Sequence, residues 1–451
     1  LNDTESKFIV IVDMAYNKIN RIIDSTKIKN CIMVSVDNYM PITLKMGYKV
    51  TKGRKIKIPS DERIVKWRDF IANGKSYTKN IKVKGKDSDV AAILYSGGTS
   101  SFPKGVELTN LNFNASAISA IEACQNLDVK DTILAIMPIF HGFGLSICIH
   151  TVQLFGGTSI LLPMFNAATF DKLIKKHKPN IIAGVPTLYE ALINSKNLDG
   201  YDLSFLKLMI SGGDSLSIEL KHKIDNFLHD HNCGIQVREG YGLTENVSGT
   251  CLTPTNYYRE GSIGIPYPDS YYKIVKMGTI EEVPYDEVGE ICISGPCVMK
   301  GYFNNPKETK EALRKHKDGR VWLHTGDLGT MDEDGFIYYK QRAKRMIISS
   351  GYNLYPNYIE NVIDSHPDVL VSCVIGIPHP YKVEVAKAFI VLKDGHKKKD
   401  VVLKEIKELC EKKLAKYSWP YEYEFRDDLP RTLVGKVAFN ELIKEEEKKY
   451  Y

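Results

Sequence analysis

The stretch YSGGTSSFPKGV, residues 95–106, combines glycines, hydroxyl side chains and a lysine directly after an apolar run. Glycines allow backbone N–H groups to converge, and serine and threonine hydroxyls add further donors. A concave set of donors holds phosphate oxygens, so the stretch predicts a phosphate-binding loop, with a flexible Gly/Ser surface loop as the alternative. The residues assigned to binding in this loop are Ser96, Gly97, Gly98, Thr99, Ser100 and Lys104.

This loop is not the P-loop of kinases and GTPases, G-x-x-x-x-G-K-[ST]. Lys104 precedes Gly105, and Val106 stands where a magnesium-binding hydroxyl is required. The order of residues therefore indicates a different class of phosphate-handling protein.

The elements that must position the loop follow from residues 90–238, where short apolar runs alternate with helix-like segments. Such alternation predicts an α/β domain, a mostly parallel sheet covered by helices, with ligands beyond the carboxyl ends of the strands. We expect a strand before the loop and a helix that follows at Asn110. Strands are predicted at 90–95, 132–137, 157–162, 180–183, 207–210 and 235–238, and helices at 110–125 and 217–229.

The pattern of residue types changes twice in the remainder of the chain. Glycines, prolines and aromatic residues punctuate short alternating runs between 257 and 340, which predicts a small β subdomain. Residues 345–451 predict a compact α+β unit, and the charged run QRAKR at 341–345 is interpreted as a hinge. We therefore predict two domains, 1–342 and 343–451. In the second, strands are expected at 369–377, 386–392 and 421–425, and a helix at 402–416.

Composition and charge exclude several functions. The 451 residues include 61 basic and 55 acidic side chains, so the net charge of +6 does not favour a nucleic-acid partner. Residues 132–170 carry no charge, but glycines, prolines and histidines interrupt them, so we expect a buried core and no transmembrane segment. The nine cysteines show no CxxC pair and no His/Cys cluster, which favours reduced thiols and a cytoplasmic location.

Further motifs occur in a fixed order after the loop. Together with the loop, they resemble the signatures of the adenylate-forming acyl-CoA synthetase family, which includes acyl- and aryl-CoA ligases, luciferases and the adenylation domains of peptide synthetases. The resemblance extends from residue 95 to residue 436. The motifs are SGGDSLS (211–217), GYGLTE (240–245), HTGDLG (324–329), RAKRMIISSGYNLYP (342–356) and PRTLVGK (430–436).

The resemblance implies a large N-terminal α/β domain, a mobile smaller α+β domain, and ATP, Mg²⁺ and coenzyme A as ligands. In this family, a substrate carboxylate attacks the α-phosphate of ATP and forms an acyl adenylate and pyrophosphate. A thiol, usually that of coenzyme A, then attacks the acyl carbon. Because two anions meet in the first step, the site needs positive charge and a metal ion.

The resemblance also implies roles for individual residues around the phosphates. Thr99, Ser100 and Lys104 would hold the β- and γ-phosphates. Thr244 would donate a hydrogen bond to the α-phosphate, and Glu245 would bind Mg²⁺, since a carboxylate suits that ion.

Other residues would hold the nucleoside. Tyr241 would lie against adenine, Asp327 would accept hydrogen bonds from both ribose hydroxyls, and Arg342 would assist at the ribose. The remaining residues expected on the nucleotide side are Gly212, Gly213, Asp214, Glu239, Gly240 and Gly242.

The carboxylic acid is expected to be apolar, aliphatic or aryl. His141 in PIFHGFG matches the family residue that lines the acyl pocket, and we count it among the catalytic residues. Peptide-synthetase adenylation domains hold the substrate amino group with a nearby aspartate. No acidic residue occurs between Asp131 and Asp171, so amino-acid activation is disfavoured.

Lys436 carries the most important prediction, because its ammonium would bridge the carboxylate and the α-phosphate. The C-terminal domain would then swing about Lys344, withdraw Lys436 and bring Gly351 and Tyr352 toward the site for thioester formation. Two alternatives stay open, a ligase that loads the phosphopantetheine thiol of an acyl carrier protein and an AMP- or acyl-binding protein without catalysis. The segment before the loop is shorter than usual in the family, so we expect a truncated first subdomain or a short natural chain.

Overall fold

The computed structural model describes residues 1–51, 53–56, 58, 60–78, 83–96, 103–162, 169–432 and 436–450. The chain divides into two compact units, Leu1–Gly85 and Lys86–Tyr451. The first unit contains a parallel sheet of order β1-β2-β3, and Tyr16, Cys31 and Met33 lie in its core. Its elements are β1 (Phe8–Val12), α1 (Tyr16–Asn20), β2 (Asn30–Val34), α2 (Ile42–Val50), β3 (Ile64–Lys66) and α3 (Trp67–Lys75).

The second unit begins with a β-hairpin around the predicted phosphate loop. β4 (Val90–Ser96) pairs antiparallel with β5 (Lys104–Thr109), and Ser96 lies opposite Lys104. The strand before the loop and the helix that begins at Asn110, α4 (Asn110–Cys124), are confirmed, but β4 lies outside the parallel sheet, contrary to expectation. A strand that is not predicted, β5, lies between the loop and α4. The reason is that GVELT buries Val106 and Leu108 on alternate positions, which suits a strand.

A mixed sheet of order β12-β11-β10-β9-β8-β6-β7 forms the centre of this unit, and its strands from β6 to β10 run parallel. This arrangement confirms the predicted α/β class. The strands are β6 (Thr132–Ala135), β7 (Thr158–Leu161), β8 (Ile181–Gly184), β9 (Leu208–Gly212), β10 (Val237–Gly242), β11 (Gly249–Leu252) and β12 (Ile265–Pro266).

Helices cover this sheet, and local sequence determines where they begin. Thr109 caps α4 by accepting from the backbone N–H of Asn112, Ser217 caps α8 in the same way, and Pro186 opens α7. A π-helical stretch, Phe143–His150, leads into α5 within the uncharged run. No helix in the described part of the chain is long and apolar enough to span a membrane. The helices are α5 (Thr151–Phe155), α6 (Phe170–His177), α7 (Pro186–Ile193) and α8 (Ile218–Asp230).

The predicted β subdomain is an antiparallel sheet of order β13-β14-β17-β16, with β18 paired to β17. A short strand, β15, joins the hairpin of β4 and β5. The elements are β13 (Tyr271–Val275), β14 (Gly289–Ser294), β15 (Gly301–Tyr302), α9 (Pro306–Ala312), β16 (Leu313–Lys315), β17 (Val321–Met331) and β18 (Ile337–Arg342).

The C-terminal segment forms the expected α+β arrangement around a sheet of order β20-β19-β22-β21, with β23 parallel to β22. Its elements are β19 (Ile347–Ser349), β20 (Tyr352–Leu354), α10 (Pro356–Asp364), β21 (Val369–His379), β22 (Val383–Leu392), α11 (Lys399–Lys413), β23 (Glu422–Arg426) and α12 (Phe439–Tyr450). Because β18 ends at Arg342, the predicted division between residues 342 and 343 falls between elements, and it stays a prediction.

Candidate active site

A cavity of about 980 Å³ opens where β9 and β10 end. β17, β18 and the C-terminal segment supply other parts of its wall, so the cavity joins residues that are far apart in sequence. The predicted site residues that line it are Gly213, Asp214, Glu239, Gly240, Tyr241, Gly242, Asp327, Arg342 and Lys436.

Asp327 is the buried acceptor of this cavity. Tyr241 donates its hydroxyl to Asp327 Oδ2 at 2.7 Å, and Arg342, opposite Asp327 across β17 and β18, places Nε 3.3 Å from Oδ1. Oδ1 is buried and accepts no hydrogen bond from the described residues. Burial raises the pKa of Asp327, although the charge of Arg342 opposes that shift. An unsatisfied buried carboxylate oxygen is costly, and a ribose hydroxyl is a suitable donor for it.

Lys436 approaches these residues from the C-terminal segment. Its backbone N–H donates to Thr432 Oγ1 at 3.2 Å, and its carbonyl accepts from Thr432 N at 2.8 Å, so two hydrogen bonds with Thr432 hold its backbone. A Cβ added to Gly213, whose φ is +80°, would lie 3.9 Å from Lys436 Cε. Burial lowers the pKa of the Lys436 ammonium, and the carboxylate of Asp214 opposes that shift. The lysine therefore lies against the end of β9.

His141 lies close enough to feel the charge of Lys436. Burial and that charge both lower the pKa of the His141 ring, which favours neutral imidazole. The backbone N–H of Phe143 lies 3.2 Å from His141 Nδ1, so Nδ1 accepts and the ring proton lies on Nε2. His141 is thus suited to donate a hydrogen bond near Lys436.

Glu245 supplies a further carboxylate of the site. Thr244 and Glu245 lie on a 3₁₀ turn after β10, and Glu245 Oε1 accepts from the hydroxyl of Tyr302 at 2.9 Å. A hard carboxylate beside a hydroxyl, completed by phosphate oxygens, is a donor set that fits Mg²⁺. Lys104 lies over the Tyr302 ring, with Nζ 5.0 Å from the ring centroid, and pairs with Glu308.

Further nucleotide-side predictions concern residues at the strand ends. Glu239 is 9% exposed, and burial raises the pKa of its carboxyl to about 8, while the backbone N–H of Leu216 donates to Oε1 at 3.4 Å. Gly242 must be glycine, because a Cβ would lie 1.6 Å from the carbonyl oxygen of Ser248. Gly212 lies beside Gly240 in the register of β9 and β10.

Comparison with known proteins places this geometry in a family. The family described as "AMP-binding enzyme" matches residues 1–303, and "AMP-binding enzyme C-terminal domain" matches residues 358–436. The chain belongs to the AMP-binding enzyme family. It is 35% identical to a long-chain-fatty-acid–CoA ligase of Bacillus subtilis over 460 residues, which cover 100% of this chain and 79% of that relative.

Two further proteins show the same relationship. The long-chain-fatty-acid–CoA ligase of Escherichia coli O6:H1 is 32% identical over 98% of this chain and 77% of its own length. The crystal structure of ATP-bound MatB from Rhodopseudomonas palustris is 26% identical and superimposes with a TM-score of 0.81, covering 100% of this chain and 81% of that one. The predicted family, fold class and reaction class are confirmed: the chain is an AMP-forming acid–thiol ligase.

In this AMP-binding enzyme, the proposed pivot and the second-step loop lie outside the cavity wall. Lys344 is exposed, and the exposed Tyr352 stacks on Tyr417 with ring centroids 4.7 Å apart. Gly351, with φ +83°, precedes Tyr352 and is also exposed. Gly97, Gly98, Thr99 and Ser100 lie outside the described residues, so Ser96 and Lys104 are the two binding residues predicted in the loop that the structure describes.

Arg342 and Arg345 flank the pivot on its two sides. Arg342 pairs with Asp327, as described above. Arg345 donates from Nη1 to Asn357 Oδ1 at 2.9 Å and pairs with Glu360 on α10. Both arginines of QRAKR line the cavity, and each pairs with a different carboxylate.

Sequence reasoning missed several residues of the AMP-binding enzyme. Tyr302 links Lys104 with Glu245, and Tyr339 of β18 lies 5.9 Å from the Tyr241 ring, yet both occur in ordinary strand patterns that carry no catalytic signal. The sequence shows no His/Cys cluster along the chain, yet the fold brings three such residues together. Strand pairing collects the cluster from residues whose sequence spacing gives no metal motif, namely Cys292, His316 and His324.

Proposed function

We propose that this AMP-binding enzyme activates an apolar carboxylic acid, foremost a long-chain fatty acid, with ATP and Mg²⁺ and transfers the acyl group to coenzyme A. The observation that carries the proposal is the position of Lys436 in the same cavity as Tyr241 and Asp327. Two relatives at 35% and 32% identity are named long-chain-fatty-acid–CoA ligases, and the uncharged run beside His141 supports an apolar substrate.

The nucleoside would be held by the buried pair on β10 and β17. Tyr241 orients Asp327 through its hydroxyl and presents its ring to adenine. Asp327 Oδ1, the acceptor without a hydrogen-bonded partner among the described residues, accepts from the ribose, and Arg342 keeps the carboxylate ionised. Binding of ribose thus satisfies a buried polar atom.

Adenylation requires the substrate carboxylate to reach the α-phosphate. Two unit charges of like sign about 4 Å apart repel by ~4 kcal/mol at an effective dielectric constant of 20. The ammonium of Lys436 offsets this repulsion from within the cavity, and His141 donates from Nε2 on the acyl side. Asp214 helps to keep the lysine protonated despite its burial.

The metal would be held on the opposite side of the phosphates. Mg²⁺ neutralises phosphate charge when it is bound. Glu245 supplies its carboxylate, fixed by the Tyr302 hydroxyl, and Thr244 donates to the α-phosphate. Lys104 exchanges its partner Glu308 for the outer phosphates, together with Thr99 and Ser100.

Thioester formation would follow a rotation of residues 343–451 about Lys344. In the arrangement described above, Lys436 occupies the cavity while Tyr352 stacks elsewhere, which suits the first half-reaction. Rotation withdraws Lys436 and brings Gly351 and Tyr352 to the adenylate, so one cavity serves both steps.

The decisive experiment separates the two half-reactions in Lys436→Ala. We expect adenylation, measured as acid-dependent pyrophosphate exchange into ATP, to fall about 10²- to 10³-fold. Conversion of supplied acyl adenylate to thioester should persist. Lys444→Ala, which removes an exposed lysine of the same domain, is the matched control. Equal loss of both half-reactions in a folded protein would contradict the role of Lys436.

A panel of acids tests the substrate class. Coenzyme A-dependent AMP release should be highest with long-chain fatty acids and low with amino acids. Replacement of coenzyme A by an acyl carrier protein tests the alternative acceptor, and preference for the carrier would refute coenzyme A as the acceptor. Absence of pyrophosphate exchange across the panel would favour a non-catalytic binding protein.

A further inference from the structure

A buried group of metal-ligating side chains lies away from the nucleotide cavity, in the sheet formed by β14, β16 and β17. Cys292 of β14 is directly opposite His324 of β17, and His316 follows β16 in the hairpin that leads to β17. None is more than 7% exposed, and one ligand atom from each lies within 4.8 Å of the other two. We call these three residues the Cys–His cluster.

Hydrogen bonds determine where the protons of the two histidines lie. His324 Nδ1 is 2.8 Å from Glu290 Oε2, so Nδ1 donates to the carboxylate and Nε2 keeps its lone pair. That lone pair faces His316 Nε2 at 2.9 Å. Two lone pairs repel at this distance, so a proton or a metal ion must lie between the rings.

The hydrogen bonding of the second nitrogen of His316 does not decide between a proton and a metal ion. His316 Nδ1 is buried and has no hydrogen-bond partner among the described residues. No described group therefore fixes the tautomer of His316, and its ring can carry the proton on Nδ1 and present the Nε2 lone pair. The tautomer of His316 can therefore change when a ligand reaches Nε2.

We propose that the Cys–His cluster binds one Zn²⁺ ion. The ion takes the place of the proton between the rings, that proton moves to His316 Nδ1, and the thiol proton of Cys292 passes to solvent. Imidazole nitrogen and thiolate sulfur are the donors that zinc favours and that Mg²⁺ and Ca²⁺ do not.

The two histidines and the cysteine need movements of different size. Zn–N bonds of about 2.0–2.1 Å and a Zn–S bond of about 2.3 Å place tetrahedral ligands roughly 3.3–3.7 Å apart. The two Nε2 atoms are 2.9 Å apart, so small shifts of the rings make room for the ion between them. Cys292 Sγ lies 3.6 Å from His324 Nδ1, so the Cys292 side chain must turn toward the Nε2 side of that ring to complete the site.

Charge balance also supports the ion. The thiolate of Cys292 and the carboxylate of Glu290 together neutralise Zn²⁺, and Glu290 holds His324 as outer carboxylates commonly hold zinc-binding histidines. Lys273, a nearby cation, is already paired with Glu282 at 3.0 Å and Asp318 at 3.4 Å. The buried cation thus has anionic partners of its own.

The site would also fix the ribose-binding turn. Glu290 Oε1 accepts from the backbone N–H of Gly326 at 3.0 Å, and Gly326 directly precedes Asp327. A metal that immobilises His324 and Glu290 therefore restrains the turn that carries the ribose acceptor. Zinc binding itself does not rest on the proposed function.

The test uses the full chain, stripped with EDTA and free of nucleotide, and Zn²⁺ as the probe. We expect uptake of one equivalent by calorimetry, a higher melting temperature with Zn²⁺, and a thiolate-to-metal absorption band with Co²⁺. Cys292→Ser should lose the band, while Cys297→Ser, which removes another buried thiol near β14, should keep it. Glu290→Gln should weaken Zn²⁺ binding about 10- to 100-fold.

His316→Asn provides a second variant where Cys292→Ser does not fold, and it should bind Zn²⁺ at least tenfold more weakly than the unmodified chain. The proposal is overturned by absence of stoichiometric Zn²⁺ uptake in the unmodified chain. It is equally overturned when folded Cys292→Ser and His316→Asn bind Zn²⁺ as tightly as the unmodified chain.

Discussion

Glu239→Gln should change how the stability of the enzyme depends on pH. Burial raises the pKa of Glu239 to about 8 from an ordinary value of 4.5. The folded state therefore keeps a proton that the unfolded state releases, so this residue lowers the free energy of unfolding progressively above pH 4.5 and levels off above pH 8. Glutamine has no proton to lose and still accepts from Leu216.

The magnitude follows from the two pKa values. Each unit of difference corresponds to about 1.36 kcal/mol, so between pH 5 and pH 7 the loss attributable to Glu239 is about 2.5 kcal/mol. Urea unfolding followed by tryptophan fluorescence should show the variant gaining that amount over the unmodified chain across this interval. Glu219→Gln, at an exposed site beside the same cavity, should show no such gain. The difference in the free energy of unfolding between the Glu239→Gln variant and the unmodified chain should grow as pH rises. If that difference stays constant or shrinks, the inference that Glu239 is buried as a neutral carboxyl is refuted.

Three other variants test the site. Asp327→Asn should raise the KM for ATP about tenfold or more, because one amide oxygen replaces two carboxylate acceptors; initial rates measure this, and an unchanged KM would argue against ribose binding there. The rate of adenylation should decline as pH rises through the lowered pKa of Lys436. In pH profiles of pyrophosphate exchange, Lys436→Arg should move that decline to higher pH. Identical profiles for the variant and the unmodified chain would exclude Lys436 as the titrating group. Gly242→Ala should lower the free energy of unfolding by about 3 kcal/mol or unfold the chain in thermal melts, because its Cβ would lie 1.6 Å from Ser248 O. The control Gly234→Ala has open space around the added Cβ and should melt near the original temperature.

The central sheet could be predicted because its strands are short, apolar and separated by recognisable helices. The strands expected at 132–137, 180–183 and 207–210 are present as β6, β8 and β9. The sequence does not indicate β5, because GVELT overlaps the end of the glycine-rich loop and is too short to form a recognisable strand pattern. Its strand character depends on pairing with β4, which is a non-local contact that the sequence does not display.

Site residues could be predicted where one sequence motif contains several of them. Single site residues that other segments of the chain contribute could not be predicted. Tyr241 and Asp327 belong to recognisable motifs, and the structure joins them by a hydrogen bond of 2.7 Å. Tyr302 and Glu308 come from a short strand and a helix whose patterns are those of ordinary surface elements. Their relevance arises only from contact with Glu245 and Lys104, which depends on the packing of β15 against β5.

Arg342 and Arg345 are anchored to different parts of the chain. Arg342 is tied to Asp327, the carboxylate proposed to meet the nucleotide, and Arg345 is tied to Asn357 and Glu360. In the proposed rotation of residues 343–451, Arg345 moves together with its partners, whereas Arg342 stays with Asp327. We therefore expect the change in backbone direction to fall between the two arginines, so that neither anchored pair has to break in a turnover.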